Sequence, residues 1–268
     1  MYEANNPVGG LSTGLAIVEQ LRETDGARIS ELAEDLDLTP GAVHHHLSTL
    51  REFNFVIQDG VHYRLSLKFK VYGEYVLHQK PVYHIGRREV DLLAEATGEY
   101  GHLVTEEHGR SIKLHQQRGE KAIGRDYQQV KRQNMEPMHY TAAGKALLAF
   151  FDRGYTEQII SYYGLPQMTS KTVTQPDELY AELDDIRQLG YSVNDEEEIE
   201  GIRAVGAPVL DHQGTPVAAV SLSAPAERFT REKIHDEVGA TVMETANVIQ
   251  ANLNMQARED KTFNQLID

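Results

Sequence analysis

The residues best suited to contacting another molecule lie on one face of a helix predicted between Thr39 and Leu50. Thr39 followed by Pro40 is typical of a helix start, with a capping hydroxyl and then a proline in the first turn. Val43 and Leu47 share an apolar face with Leu50. The other face carries Gly41, His44, His45 and Ser48. These side chains could hydrogen-bond to base edges in a DNA groove, and the helix start could bind a phosphate.

A β-hairpin after this helix carries the second group of polar residues. Asp59-Gly60 separates two apolar runs, which predicts a tight turn between strands Phe55–Ile57 and Val61–Leu65. Between Leu38 and Lys70 there are four basic and two acidic residues, so this segment has a net charge of +2. The predicted DNA-contacting residues are therefore Thr39, Gly41, His44, His45, Ser48, Arg51, His62 and Arg64.

Two shorter helices are predicted before the polar helix. Ser12 and Thr13 are candidate caps for the first, whose inward positions are predicted to be Leu11, Leu15, Val18 and Leu21. The inward positions of the second are predicted to be Ile29, Leu32, Ala33 and Leu36. Three helices followed by a hairpin is the order of a winged helix-turn-helix, which favours DNA binding. The alternative is a winged helix that serves only in dimerisation.

Patterns that look like catalytic or metal sites are interpreted as structural. Consecutive side chains of residues 44–46 point about 100° apart on a helix, so these histidines cannot chelate one ion. Gly10–Gly14 matches a hydrolase motif, but no strand precedes it. Gly144-Lys145 lacks the rest of a phosphate-binding loop. Asp184-Asp185 and Asp195–Glu198 are interpreted as solvated surface charges. No catalytic residue, metal or cofactor is therefore predicted.

Composition limits the class of protein. The 268 residues include 26 basic and 41 acidic side chains, and the formal net charge is −15. The sequence contains no cysteine, which excludes disulfides and thiolate metal sites. No apolar run approaches the roughly 18 residues that span a bilayer, so we expect a cytoplasmic protein without membrane partners. The acidic excess favours a halophilic-like surface adapted to high salt over an ordinary acidic protein.

The second half alternates helical and strand-like segments and predicts an α+β domain with a largely antiparallel sheet. Short strands are expected at His102–Val104 and Ser111–His115, with later strands at Ala204–Leu210 and Val217–Ser223. The predicted helices are Leu67–Leu77 as a linker, Ile85–Ala96, Ala142–Phe151, Tyr155–Tyr162, Pro176–Leu189 and Thr230–Met255. The predicted division is a winged helix-turn-helix domain at 1–65, a linker helix at 66–80, a second domain at 81–256 and a polar tail at 257–268.

Several motifs together, in this order and spacing, resemble the IclR-type transcriptional regulators over nearly the whole chain. The recognition-helix segment Leu38–Leu50 is followed by Thr97-Gly98-Glu99, and then by a central block at Pro137–Ala149. Gly190-Tyr191 and the acidic run precede the C-terminal signature, which comprises Gly201–Val209 and Ala219–Ser223. The resemblance implies a winged helix joined by a linker helix to a GAF-like effector-binding domain, in a homodimer or homotetramer.

The resemblance also implies where an effector would bind. The pocket would lie between the start of the helix at Ala142 and the two late strands. The helix start would offer backbone N–H groups to a carboxylate, and two serines on one strand face would offer hydroxyls. The effector-binding residues implied in this way are Ala142, Ala143, Asn194, Ala204, Ser221 and Ser223.

These observations predict a regulator that binds double-stranded operator DNA and responds to a small organic or sugar-acid effector. We expect a dimer to place two recognition helices in successive major grooves, and the effector to change their spacing. Two alternatives are a ligand-sensing oligomerisation module and a small-molecule enzyme without DNA binding. If the chain is an oligomerisation module, Arg51→Ala and His44→Ala leave DNA retention unchanged. If it is an enzyme, it converts a metabolite at a rate that Ser221→Ala reduces.

Overall fold

The computed structural model describes residues 4–124 and 134–267, with side chains as far as Arg258. Residues 1–3 of the predicted first domain and the side chains of most of the predicted tail lie outside the described part. The described chain divides into two compact units, with the boundary between Gln79 and Lys80. The helix predicted as a linker belongs to the first unit.

The N-terminal unit contains four helices and a small sheet. Its helices are α1 (Gly9–Glu23), α2 (Ile29–Asp35), α3 (Pro40–Glu52) and α4 (Lys68–His78). Its strands are β1 (Ala27–Arg28), β2 (Val56–Asp59) and β3 (His62–Leu65), in the antiparallel order β1-β3-β2. The core includes Ile17, Leu32, Val43, Leu47 and Tyr63, all buried. This arrangement is a winged helix-turn-helix, as predicted.

The capping signal of α3 folds as the sequence predicts. The Thr39 side chain accepts a hydrogen bond from the Ala42 N–H at 3.2 Å, and Pro40 is the first helical residue. The hairpin turn differs by one residue, because Asp59 pairs with His62 and the turn is formed by Gly60 and Val61. Gly60 has a φ of +59°, a conformation that favours glycine.

The predicted inward face of α1 is wrong in its first half. The helix begins at Gly9, and Ser12 lies inside its first turn, where the hydroxyl donates to the Val8 carbonyl instead of capping the helix. Leu11 and Leu15 are exposed, whereas Ile17 and Leu21 are buried. Leu11 and Leu15 therefore point away from the core of this unit, and only the second half of the predicted face packs into it.

The C-terminal unit is built on one antiparallel sheet. Its strands are β4 (Tyr100–Glu107), β5 (Arg110–Arg118), β6 (Ser192–Asp195), β7 (Ile202–Leu210) and β8 (Pro216–Pro225), in the order β5-β4-β8-β7-β6. Its helices are α5 (Pro81–Thr97), α6 (Ala142–Phe150), α7 (Arg153–Tyr163), α8 (Pro176–Leu189), the short α9 (Arg231–Lys233) and α10 (Gly239–Ile267). A π-helical turn, Ile234–Val238, joins the last two, where one regular helix is predicted.

The two faces of this sheet have different neighbours. On one face, Gly101 approaches the Val90 carbonyl of α5, and Leu103 lies beneath Gly86 of the same helix. On the other face, His102 and Val104 alternate with these residues and line a pocket beside α6. Every helix in the described ranges is too short or too polar to cross a bilayer.

Candidate nucleic-acid interface and ligand pocket

The eight predicted DNA-contacting residues all lie on the surface of the N-terminal unit. Those at the start and along the open face of α3 are exposed, as are those on the hairpin: Thr39, Gly41, His44, His45, Ser48, Arg51, His62 and Arg64. The His44 and His45 rings are 6.0 Å apart and nearly perpendicular, in an edge-to-face arrangement. In the described ranges no three His, Asp or Glu side chains are grouped so that they could hold a metal ion.

Two hydrogen bonds hold basic side chains, one from α3 and one from β1, against the hairpin. Arg51 donates to the Gln58 Oε1 of β2 at 2.5 Å, and Gln58 donates in turn to the Gly60 carbonyl at 2.8 Å. Arg28 Nε donates to the His62 Nε2 at 3.2 Å. Sequence reasoning did not identify Arg28 or Gln58, because both act through partners at least seven residues away in the chain.

The six predicted effector-binding residues line one pocket of the C-terminal unit. The pocket has about 610 Å³ of empty space, its open mouth included. Ala142 and Ala143 contribute the start of α6, and Ser221 and Ser223 contribute one face of β8. Asn194 and Ala204, which pair across β6 and β7, complete the predicted set.

The start of α6 is held tightly against the sheet. The Thr141 hydroxyl accepts from the Gly144 N–H at 3.0 Å and caps the helix. Ser192 donates to the Ala142 carbonyl at 2.6 Å. A Cβ on Gly206 would lie 2.7 Å from that carbonyl group, so only glycine lets β7 approach this peptide. The first two N–H groups of α6 precede the helical hydrogen-bond ladder and have no acceptor within the helix.

The pocket wall mixes hydroxyl, imidazole and charged groups. His102 Nε2 lies 3.0 Å from the Ser223 hydroxyl across β4 and β8. Within the described part of the chain, the buried Ser111 hydroxyl has no hydrogen-bond partner. Lys113 contributes a cation, and Glu136 and Glu198 contribute carboxylates. A ligand that carries one carboxylate and several hydroxyls would match these groups.

The polar pocket residues that sequence reasoning missed are on β4, β5, the segment before α6 and the loop before β7. The added polar members are His102, Ser111, Lys113, Asn134, Glu136, Thr141 and Glu198. Strands with alternating polar side chains do not indicate which face meets a helix, because either face can be solvated. The pairing of His102 with Ser221 shows which face of β4 lines the pocket, since directly paired residues share one face.

The run Asp195–Glu198 is not the solvated surface that the sequence predicts. Asp195 accepts from Arg203 and Arg231, and Glu196 accepts from Lys171. Burial raises the pKa of Asp195, but the two arginine hydrogen bonds outweigh it and leave that pKa below its usual range. These partners lie on three separate elements, so local sequence gives no sign of them.

Two family models match the chain. The model described as bacterial transcriptional regulator IclR C-terminal matches residues 74–251. The model described as bacterial regulatory protein, arsR family, matches residues 12–58, which include most of the helix-turn-helix. Together they cover both compact units.

Relatives and solved structures agree with these matches. A probable HTH-type transcriptional regulator ArcR of Halobacterium salinarum is 38% identical, over 88% of this chain and 90% of that protein. The crystal structure of Thermotoga maritima IclR is 28% identical with a TM-score of 0.71, over 91% of this chain and 98% of that one.

A second similar structure contains a bound ligand. It is the inducer-binding domain of the PobR transcription factor from Acinetobacter, a double mutant in complex with 3-hydroxybenzoic acid. It is 27% identical with a TM-score of 0.54 and covers 61% of this chain and 94% of that one. With a winged helix-turn-helix, an effector-type α+β unit and a family match over most of its length, the chain belongs to the IclR family of transcriptional regulators.

Proposed function

We propose that this regulator reads operator DNA with the open face of α3 and the hairpin, and that a small carboxylic acid in the pocket modulates that binding. The observation that carries the effector assignment is the convergence of Lys113, the Ser111 and Ser221 hydroxyls and the start of α6 on one pocket. A cation, hydroxyl donors and helix N–H groups are the groups that bind a carboxylate.

The acidic members of the pocket narrow the ligand class further. Glu136 and Glu198 are acceptors when ionised, so they favour hydroxyl groups on the ligand and disfavour a second carboxylate. A hydroxylated monocarboxylic acid matches both the carboxylate-binding groups and the two glutamates. The 3-hydroxybenzoic acid bound to the related inducer-binding domain has this chemistry.

A thermal-shift panel tests the ligand class. The panel contains 3-hydroxybenzoate, lactate and gluconate, with the matching amides as neutral controls. We expect at least one acid, and no amide, to raise the melting temperature of the full chain, because a ligand that binds only the folded state stabilises it. A panel in which no acid is active, or in which the amides equal the acids, would contradict the proposal.

Removal of a pocket hydroxyl tests the site. Ser221→Ala is expected to weaken binding of the active acid about tenfold, since a hydrogen bond to a charged group contributes about 1.5–3 kcal/mol. Ser161→Ala on α7 is the matched control, because Ser161 is exposed and outside the pocket. Calorimetric titration gives both dissociation constants. Equal constants for Ser221→Ala and the wild type would place the acid elsewhere.

An apolar stripe along α4 and the residue that precedes it supports the proposed homo-oligomer. Leu67, Val71 and Tyr75 are spaced by four residues and are 82%, 66% and 65% exposed. Such a stripe costs free energy in water and is typical of an interaction surface. We assign it to a second copy of the chain, because a helix-turn-helix reads two half-sites of an operator as a dimer.

A charge placed on the stripe tests this assignment. Val71→Glu with Tyr75→Glu is expected to lower the molar mass in solution, because burying two carboxylates in an apolar interface is unfavourable. Lys70→Glu adds a carboxylate to the same helix outside the stripe and is expected to retain the wild-type mass. Light scattering after size-exclusion chromatography measures both. An unchanged mass for the double variant would mean that the subunits associate through another surface.

A further inference from the structure

A buried ionic cluster lies directly behind the pocket and is not part of its lining. The Lys145 side chain on α6 is 0% exposed, and its Nζ donates to Glu197 Oε1 at 2.6 Å. It also donates to Glu182 of α8, which is partly exposed. The second oxygen of Glu197 is buried without a hydrogen-bond partner in the described part of the chain.

Glu197 belongs to the loop that forms one wall of the pocket. We name residues 196–201, between β6 and β7, the acidic loop. Glu198 and Ile199, the next two residues, line the pocket. Asn194, which also lines it, accepts from the Glu197 N–H at 2.8 Å. The loop residue that faces Lys145 is therefore flanked on both sides by residues that face the ligand space.

We infer that Lys145 and Glu197 are positioning residues for the effector pocket, whose ion pair keeps the acidic loop closed over the ligand space. This inference rests on the proposed effector function. The cation sits on the same helix whose first turn forms the opposite wall of the pocket. The ion pair thus ties two walls together from behind, without touching the ligand.

The burial of the Lys145–Glu197 pair is the physical reason why it would keep the loop closed. If the loop opened, Lys145 would keep only one carboxylate in a site that water does not reach, and removing a partner from a buried ion pair is strongly unfavourable. The loop also has neutral tethers, since the Thr172 hydroxyl donates to the Glu197 carbonyl at 2.6 Å. An effector that needs a closed loop binds in proportion to the closed population.

Hydrogen exchange measures the loop without any ligand. Glu197→Gln keeps the shape of the side chain and removes its charge, and Glu200→Gln removes a charge from an exposed residue of the same loop. We expect amide exchange over residues 194–201 to be about tenfold faster in Glu197→Gln than in the wild type or Glu200→Gln, because loop opening controls it. Thr172→Val removes a neutral tether and is expected to have a smaller effect.

Effector binding supplies the second measurement. The dissociation constant of the active panel acid is expected to rise in Glu197→Gln by the factor by which the closed population falls, as the exchange data give it, and to stay at the wild-type value in Glu200→Gln. Unchanged loop exchange in Glu197→Gln overturns the inference, whatever the ligand result. Exchange that shows the loop of Glu197→Gln to be mostly open, with unchanged affinity, also overturns it, since the loop would then not be a wall for the ligand. If no acid binds the wild type, the proposed effector class fails, and loop exchange still decides whether the pair holds the loop.

Discussion

Lys145→Met is expected to lower the free energy of unfolding by about 3–5 kcal/mol, the cost of leaving buried charge without its partner. Methionine fills a similar volume, so the loss reflects charge rather than a cavity. Burial already raises the pKa of Glu197, and Lys145 opposes that effect while Glu182 adds to it. Without the cation, Glu197 must either take up a proton or leave its site. Urea denaturation followed by circular dichroism measures the change.

A second lysine variant, at an exposed ion pair, separates the effect of burial from the effect of removing a charge. Lys171 pairs with Glu196 at 2.6 Å, but its side chain is 44% exposed. Lys171→Met is therefore expected to change stability by less than about 1 kcal/mol, because solvent screens an exposed pair. The double variant Lys145→Met with Glu197→Gln is expected to recover part of the loss, since it removes the stranded carboxylate. Similar losses for both single variants would contradict the role of burial.

Arg51→Glu is expected to weaken binding to operator DNA about 30- to 100-fold at low salt, equivalent to about 2–3 kcal/mol. Arg51 is exposed at the end of α3, and Gln58 fixes its direction toward the hairpin. Reversal of this charge replaces attraction to a phosphate with repulsion. A plot of the logarithm of DNA affinity against the logarithm of salt concentration should also be less steep, by about the amount that one phosphate contact contributes.

The measurement uses genomic DNA fragments selected by the wild-type protein, titrated by fluorescence anisotropy from low to molar KCl. Arg153→Glu is the control of equal charge change, because Arg153 is exposed on α7 in the other compact unit. It is expected to bind within about twofold of the wild type. If both variants weaken binding equally, net charge explains the effect and the assignment of Arg51 as a DNA contact is wrong. The same titration tests the proposed adaptation to salt, since retained affinity at molar KCl requires contacts beyond counterion release.

The helix-turn-helix could be predicted from local signals. Thr39-Pro40 marks the start of α3, and Asp59-Gly60 marks the hairpin within one residue. The failure at α1 has a physical cause: Leu11 and Leu15 are apolar, and periodicity cannot distinguish a face that packs on its own core from one that is left exposed.

For the pocket, too, the sequence predicted some features and could not predict others. The resemblance to the IclR family implied six of its residues, because the family's motifs can be matched to this sequence position by position. They could not show that Gly206 lets β7 contact the first peptide of α6, or that His102 shares a face with Ser221. Both depend on strand order, which joins residues more than 60 positions apart.

By itself, the sequence determined most of the elements, the polar face of α3 and the family, since capping, periodicity and motif spacing act over a few residues; it did not predict the short strands β1 and β6. Only the tertiary structure shows that Lys145 and the acidic run form ion pairs. The motif around Lys145 looked like an incomplete phosphate loop, and the carboxylates looked solvated. Their charges are instead neutralised by partners 8 to 52 positions away. The free energy of a charge depends on burial and on its nearest counter-charge, and folding sets both.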